Sequence, residues 1–269
     1  MIDLSIIIVS YNARADLERC LESLHSPPPS IAHEIIVVDN QSSDGSAAAA
    51  RRWPGVRVID AGSNLGFARG NNLGMRTSTG TSLLLLNSDT IVPAGAIDHL
   101  VAELGRHPEA AVIGPRLVDG SGRAELSFGP ALGPFREARQ KLLFRGQVRH
   151  LPVLSGIVER LTRQPHSPGW VTGACLLVRR RDAEAVGLFD ERYFMYLEDV
   201  DFCAAIRARG RKILFTPAVE VVHLRGRSGA SAPADTRRAY RHSQLAFYER
   251  HHPGWAPVLR LYLRVRGQL

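Results

Sequence analysis

No stretch of this chain approaches the roughly 20 consecutive apolar residues a bilayer-crossing helix requires, so nothing in it reads as a transmembrane segment. Cysteine is sparse. Cys20, Cys175 and Cys203 lie far apart in apolar surroundings, without the close spacing of a metal-ligand set, and read as reduced core residues. The start, Met1-Ile2-Asp3-Leu4, has no basic region ahead of a hydrophobic stretch, which argues against a signal peptide and for a cytoplasmic protein. Acidic residues are outnumbered, 26 against 34 Lys and Arg, for a formal net charge of +8. That excess favours anionic partners: phosphates, nucleic acid or an acidic membrane surface. A solvated arginine-rich surface explains part of it, so charge alone selects none of these.

What is present is a regular alternation. With 45% hydrophobic residues in 269, the chain can bury a core the size of one large domain. Ser5-Ile6-Ile7-Ile8-Val9, Glu34 to Val38 and Val56-Arg57-Val58-Ile59 read as buried strands. Between them lie a helix with Leu17, Cys20, Leu21 and Leu24 on one face, ended by Pro27-Pro28-Pro29, and an alanine-rich helix running to Arg52. Strand and helix in turn, joined by polar turns, predict a mainly parallel sheet with helices on its faces.

The centre of the pattern is Leu83-Leu84-Leu85-Leu86-Asn87-Ser88-Asp89. Four leucines predict a strand buried on both faces, and the break puts Asp89 just past its end, where ligands collect in open α/β sheets. A polar turn before a helix explains the same residues. The preceding stretch, Gly62 to Asn72, carries Gly62, Gly66 and Gly70 with interleaved amides and reads as a loop whose N–H groups can approach a phosphate, with Arg69 adding charge. Its glycine spacing is not that of the dinucleotide fingerprint.

A helix through Ile97, Leu100, Val101 and Leu104 and a strand from Ala110 to Gly114 follow. From Arg116 to Gly169 the pattern loosens, and this irregular segment is where acceptor specificity is expected. Within it Arg136 to Arg145 predicts a basic, partly amphipathic helix of the kind that lies on anionic membranes or simply covers a core. Gly169 to Arg179 reads as one strand. Glu198, Asp199 and Asp201 then open a helix ended by Gly210, after the aromatic run Tyr193-Phe194-Met195-Tyr196. Helix-dipole complementarity accounts for one or two of these acids. His223 directly follows the strand Glu220–Val222 and matters only if folding brings it to Asp89. Thr236 to Leu269 predicts a helical C-terminal segment, packed on the core or touching a membrane surface.

Taken together, Ser5 to Asn12, Val37-Val38-Asp39-Asn40-Gln41-Ser42-Ser43-Asp44-Gly45, Asn64 to Asn72, Leu86 to Asp89, and Gly187-Leu188-Phe189-Asp190-Glu191 through Asp201 resemble the family 2 glycosyltransferases, rhamnosyltransferase-like branch. The resemblance spans roughly residues 4 to 225 and rests on five motifs in the right order. It implies an α/β, GT-A fold with a mixed, mainly parallel sheet flanked by helices. The catalytic domain would cover residues 1–225, with a nucleotide half to about 115 and an acceptor half from about 116, and a C-terminal helical extension would cover 226–269. It also implies a nucleotide-sugar donor, Mg²⁺ or Mn²⁺, and inversion at the anomeric carbon.

By motif position, Ser10, Tyr11, Asn12, Asp39 and Ser42 would hold the base and ribose. Asn64, Gly66, Phe67, Arg69, Gly70, Asn71, Asn87 and Ser88 would line the rest of the donor. Asp89 and His223 would bind the metal, with Asn87 standing where the family's Asp-x-Asp signature has its first acid, so the diphosphate itself must supply ligands. Asp199 would be the base, supported by Glu198 and Asp201; Trp170, Thr172, Gly173 and Tyr196 would face the acceptor. The implied partners are dTDP-rhamnose, or a UDP-sugar, and a glycan or polyprenyl-diphosphate-linked acceptor in cell-envelope synthesis, at or near the inner face of the membrane. A non-catalytic nucleotide- or nucleic-acid-binding module lacks any basic-aromatic or helix-turn-helix signature here. A nucleotidyltransferase would need a basic loop where Ser10-Tyr11-Asn12-Ala13 stands.

Overall fold

A computed structural model describes residues 2–148, 151–224 and 233–268. The chain runs β1 (Leu4–Ser10), α1 (Arg14–His25), β2 (His33–Asp39), α2 (Ser46–Ala50), β3 (Val56–Asp60), α3 (Gly66–Thr77), β4 (Ser82–Asn87), β5 (Thr90–Ile91), α4 (Ala96–Arg106) and β6 (Ala110–Val118). It continues through β7 (Phe128–Gly129), α5 (Pro134–Val148), α6 (Pro152–Leu161), β8 (Trp170–Val171), β9 (Cys175–Arg179), α7 (Arg180–Ala185), α8 (Glu198–Ala208), β10 (Lys212–His223), α9 (Pro233–His251) and α10 (Ala256–Val265).

The main sheet has the order β3-β2-β1-β4-β9-β6-β10-β5, which puts β4 in the middle. β1 pairs in parallel with β2 and β4, β2 with β3, and β6 with β10; β9 runs antiparallel between β4 and β6. This is the mixed, mostly parallel sheet the alternation predicts. Successive β4 side chains point to opposite faces. Leu83 and Leu85 accordingly join one core with Met75, Phe202 and Phe247, while Leu84 and Leu86 join another with Leu17, Leu21 and Leu100. All four leucines are buried, each contributing about 2 kcal/mol in transfer terms. Cys20, Cys175 and Cys203 are buried free thiols, as expected.

Three readings need correction. The stretch after β3 is a loop only as far as Leu65; Gly66 to Thr77 is helix α3, because its glycines let the helix sit close on the sheet. A Cβ on Gly74 would lie 2.5 Å from Ile7 Cγ2, and one on Gly70 would lie 3.0 Å from Val9 Cγ1. The strand expected over 169–179 is two strands, β8 in a small sheet with β7 and β9 in the main one, broken at Thr172–Ala174. Finally, much of the irregular segment 116–169 is ordered: β6 extends to Val118, and α5 and α6 follow. The expected boundary at 225/226, and Leu269, lie outside the described residues.

Candidate functional site

Topology alone brings the motifs to one edge. β1, β2, β3 and β4 are parallel, so Ser10, Asp39, Asp60 and Asn87 end on the same side. β6 and β10 share that direction because β9 is antiparallel to both β4 and β6; His223 therefore reaches the same edge, and β9 begins there at Cys175. In such sheets this carboxyl edge is where ligands bind.

One corner is built by the turns after β1 and β2. Asn12, in the left-handed region at φ 48°, donates its N–H to Ser42 Oγ (3.0 Å), and its Oδ1 accepts from the Ser43 N–H (2.8 Å). The Ser42 N–H donates to Asp39 Oδ2 at 2.9 Å. Asn40 ties this corner to α3, donating from Nδ2 to Gly66 O at 3.0 Å. Three buried atoms, Ser10 Oγ, Asp39 Oδ1 and Asn40 Oδ1, have no hydrogen-bond partner. Burying one such group unpaired costs about 1–3 kcal/mol, so three together mark a place built for a polar ligand.

The centre is formed by β4 and β10. His223 Nε2 lies 3.3 Å from Asp89 Oδ1 and 3.4 Å from Asn87 Nδ2, while His223 Nδ1 is 3.0 Å from Glu125 Oε2. The Leu224 N–H donates to Asp89 O at 2.9 Å and fastens the two strand ends together. Burial disfavours the imidazolium, but the two flanking carboxylates outweigh it and raise its pKa to about 9. Two neighbouring ligands each about 2.1 Å from one octahedral cation stand about 3 Å apart. The Asp89–His223 spacing fits that, and Glu125 on the far nitrogen is the carboxylate partner a metal-binding histidine usually has. Among the described residues no three His, Cys, Asp or Glu side chains form a complete cage, so further ligands would come from substrate oxygens.

The third side is the start of α8. Asp199 Oδ2 accepts from the Gly173 N–H at 2.9 Å and Oδ1 from the Val200 N–H at 2.8 Å. The next residue, Ala174, accepts from the Asn87 N–H at 2.9 Å, so the break between β8 and β9 links Asp199 to the β4 end. Burial raises the Asp199 carboxyl above the ordinary aspartate range despite those N–H groups. Glu198, buried against Asp199 with Oε2 unpartnered, is pushed up further, first by desolvation and then by its neighbour's charge. Tyr196 and Leu197, both left-handed at φ 72° and 69°, hold the entry to this helix in a conformation costing about 1–3 kcal/mol per residue.

The other expected residues divide. Phe67 packs against Gly173, whose Cβ would lie 3.0 Å from its ring, and Ser88 is buried in the turn before Asp89. Asn64 Oδ1 accepts from the Gly66 N–H, and the Thr172 N–H donates to Ser127 O. Trp170 is half-buried with its indole N–H unpartnered, and Tyr196 is exposed with its ring on Tyr240 at 5.9 Å. Gly70 and Asn71 lie inside α3 against the sheet, Asn71 donating to Phe67 O, instead of in a phosphate loop. Arg69 reaches toward Glu191 (3.7 Å), and Asp201 faces away from the edge, accepting from Arg250 at 2.9 Å and lying 2.6 Å from His251. Sequence reasoning missed Asn40, Glu125 and Asn72, which clamps Phe189 through two bonds near 3 Å. For Glu125 the signal was an acid alternating with Ala124 and Leu126.

Solved structures sharing this fold are GT-A glycosyltransferases. A mannosyltransferase from Pyrobaculum calidifontis, in complex with GDP-mannose and Mn²⁺, superposes with a TM-score of 0.63 at 19% identity over 96% of this chain and 68% of its own. Residues 5–157 match the glycosyl transferase family 2 profile, and the chain belongs to that family. It is 33% identical, over 99% of its length and 94% of the relative's, to the N-acetylglucosaminyl-diphospho-decaprenol L-rhamnosyltransferase of Mycobacterium tuberculosis. Rhamnosyltransferase WbbL of Escherichia coli is 28% identical over 81% of this chain and 82% of its own.

Proposed function

We propose that this glycosyltransferase moves L-rhamnose from dTDP-rhamnose, with inversion, to a sugar carried on a polyprenyl diphosphate. The donor sugar and the lipid-linked acceptor are drawn from the M. tuberculosis relative, whose likeness runs the length of the chain. The observation that carries the chemistry is the meeting of Asp89 and His223, 3.3 Å apart, at the edge that also holds the unpartnered Ser10, Asp39 and Asn40 atoms.

In this reading Asp39 Oδ1 accepts the ring N–H of the pyrimidine base, and Ser10 and Asn40 take its remaining polar edge. Asp89 and His223 would hold Mg²⁺ or Mn²⁺, whose charge offsets that developing on the departing diphosphate. Asp199, fixed by the Gly173 and Val200 N–H groups, receives the acceptor hydroxyl proton. As the new bond from that oxygen to the anomeric carbon forms, the bond to the diphosphate breaks on the opposite face, and the electron pair leaves with dTDP. Glu198, with one oxygen unpartnered where Asp199 accepts from two N–H groups, is the member of the pair that keeps a proton, which leaves the negative charge on Asp199.

The test is a thermal-shift and turnover series with dTDP-, UDP- and GDP-sugars, with and without EDTA. A rise in melting temperature for dTDP-rhamnose in Mn²⁺, lost on chelation together with transfer, is the expected result. Equal turnover in EDTA would overturn the metal roles of Asp89 and His223, and a response to UDP-sugars alone would overturn the donor.

A further inference from the structure

Helix α10 has two apolar faces, and among the described residues only one of them is packed. Ala256 and Leu263 are buried and Leu259 packs on the core, so α10 is fixed to the body of the protein. On its outer side Val258 (58% exposed), Leu261 (65%) and Val265 (79%) stand in line with Tyr262, at spacings of three and four residues, and Trp255 begins the row one turn earlier. A continuous exposed apolar stripe on a helix that is already packed needs a partner.

Charge says which. Between residues 225 and 269 the chain has nine arginines against two acids, Asp235 and Glu249, a surplus of seven in a total of +8. Arg264 and Arg266 flank the stripe, the Arg266 guanidinium 5.9 Å from the Tyr262 ring, and no acidic residue follows Glu249. Arg260 is drawn back to Glu249, off the apolar row. A second copy docking stripe to stripe would bring these arginines together, whereas an anionic bilayer satisfies both the apolar row and its basic borders. A tryptophan and a tyrosine on the same row suit the headgroup level, where an apolar ring meets a wet edge. Ten residues, about 15 Å, are too short to span a bilayer and long enough to lie on one.

We propose that the outer face of α10 seats the protein on an anionic lipid surface, with Leu261, Tyr262 and Val265 entering the interface and Arg264 and Arg266 pairing with headgroups. α9 connects this face to the catalytic edge: Ser243 Oγ donates to Met195 O at 2.8 Å, beside the strained Tyr196–Leu197 turn.

The experiment is co-sedimentation of the full chain with vesicles of phosphatidylcholine alone or with about one third phosphatidylglycerol, without substrate. The wild type sediments with the anionic vesicles and far less with the neutral ones, and added salt releases it. Leu261→Gln/Val265→Gln and Arg264→Gln/Arg266→Gln each lower partitioning about tenfold with unchanged melting temperature, since all four side chains are exposed. Trp255 fluorescence is quenched by brominated lipid, a signal lost in Trp255→Phe. A wild type left in the supernatant, or Leu261→Gln/Val265→Gln binding as well as wild type, would overturn the proposal. So would a dimer in light scattering that the same variant converts to monomer. Because no substrate is present, such a failure would leave the transferase reading untouched.

Discussion

Glu198 and Asp199 are adjacent in the chain yet differ in what surrounds them. Asp199 is held by two backbone N–H groups; Glu198 has an unpartnered oxygen and a charged neighbour. Asp199→Asn keeps the shape and removes the proposed base, so kcat should fall about 10³-fold while the melting shift caused by dTDP is retained. The raised Asp199 pKa keeps this carboxyl protonated to higher pH than an ordinary aspartate, so kcat/KM should rise with pH through a limb above the usual range near 4. With Glu198 holding its proton beside an ionised Asp199, Glu198→Gln keeps a neutral side chain there and should leave that limb in place. Superimposable rate profiles from initial velocities across the acid range are the expected result, and a limb moved to lower pH would show that Glu198 carries charge in the wild type. In the proposed metal site Glu125 would be a positioning residue: Glu125→Gln leaves the imidazole in place without its charged partner. Half-saturation with Mn²⁺ should rise about tenfold, against complete loss of metal response in Asp89→Ala.

Helix α3 begins where two pieces of chain touch. Gly66 has φ +79°, and a Cβ there would lie 2.3 Å from Phe194 O, the same oxygen that accepts the Phe67 N–H at 2.7 Å. Gly66→Ala should therefore push the 190s segment off α3, lowering stability by about 2 kcal/mol or more and weakening nucleotide binding, both readable by melting with and without dTDP. The same geometry explains why the segment reads as a loop from sequence. Gly66, Gly70 and Gly74 depress helix propensity, and the reason for them is Phe194, Val9 and Ile7, which stand 2.3, 3.0 and 2.5 Å from where a Cβ would be. The break between β8 and β9 is hidden likewise: Trp170 to Val178 is apolar enough for one strand. The interruption is set by Gly173, whose N–H turns to Asp199.

The C-terminal helices are part of the body of the protein. Phe247 and Tyr248 of α9 are buried in the core that includes Phe202 and Leu85. Two buried acids fasten α9 from opposite sides. Asp201 accepts from Arg250 at 2.9 Å, and Glu137 of α5 accepts from Gln244 at 2.6 Å and from Tyr240 at 3.2 Å. Asp201→Ala removes the buried acceptor shared by Arg250, His251 and Tyr193, while Arg250 keeps Asp190 at 2.7 Å, and should cost about 2 kcal/mol, seen as a lower urea midpoint. A chain ended at Leu224 loses the buried aromatics of α9 and should bind a hydrophobic dye and fail to unfold cooperatively. Retention of a sharp transition by that truncated chain would show the catalytic core to be independent of α9.

Sequence by itself determined strands β1 to β4 and β6, the mainly parallel character of the sheet and the position of Asp89 past β4, because unbroken Ile, Val and Leu runs can only be buried and polar turns can only follow them. It also carried the family motifs and, through them, the chemistry expected of Asp39, Asp89, Asp199 and His223. Tertiary structure alone decided that Asp89 and His223, 134 positions apart, stand 3.3 Å from each other, since their closeness depends on β10 running parallel to β6 with β9 reversed between β6 and β4. It alone turned Asp201 toward Arg250 and His251, gave His223 its second carboxylate in Glu125, and left Val258, Leu261 and Val265 of α10 exposed. Local pattern records which residues must be buried; which of them meet is settled by the order of strands in the sheet.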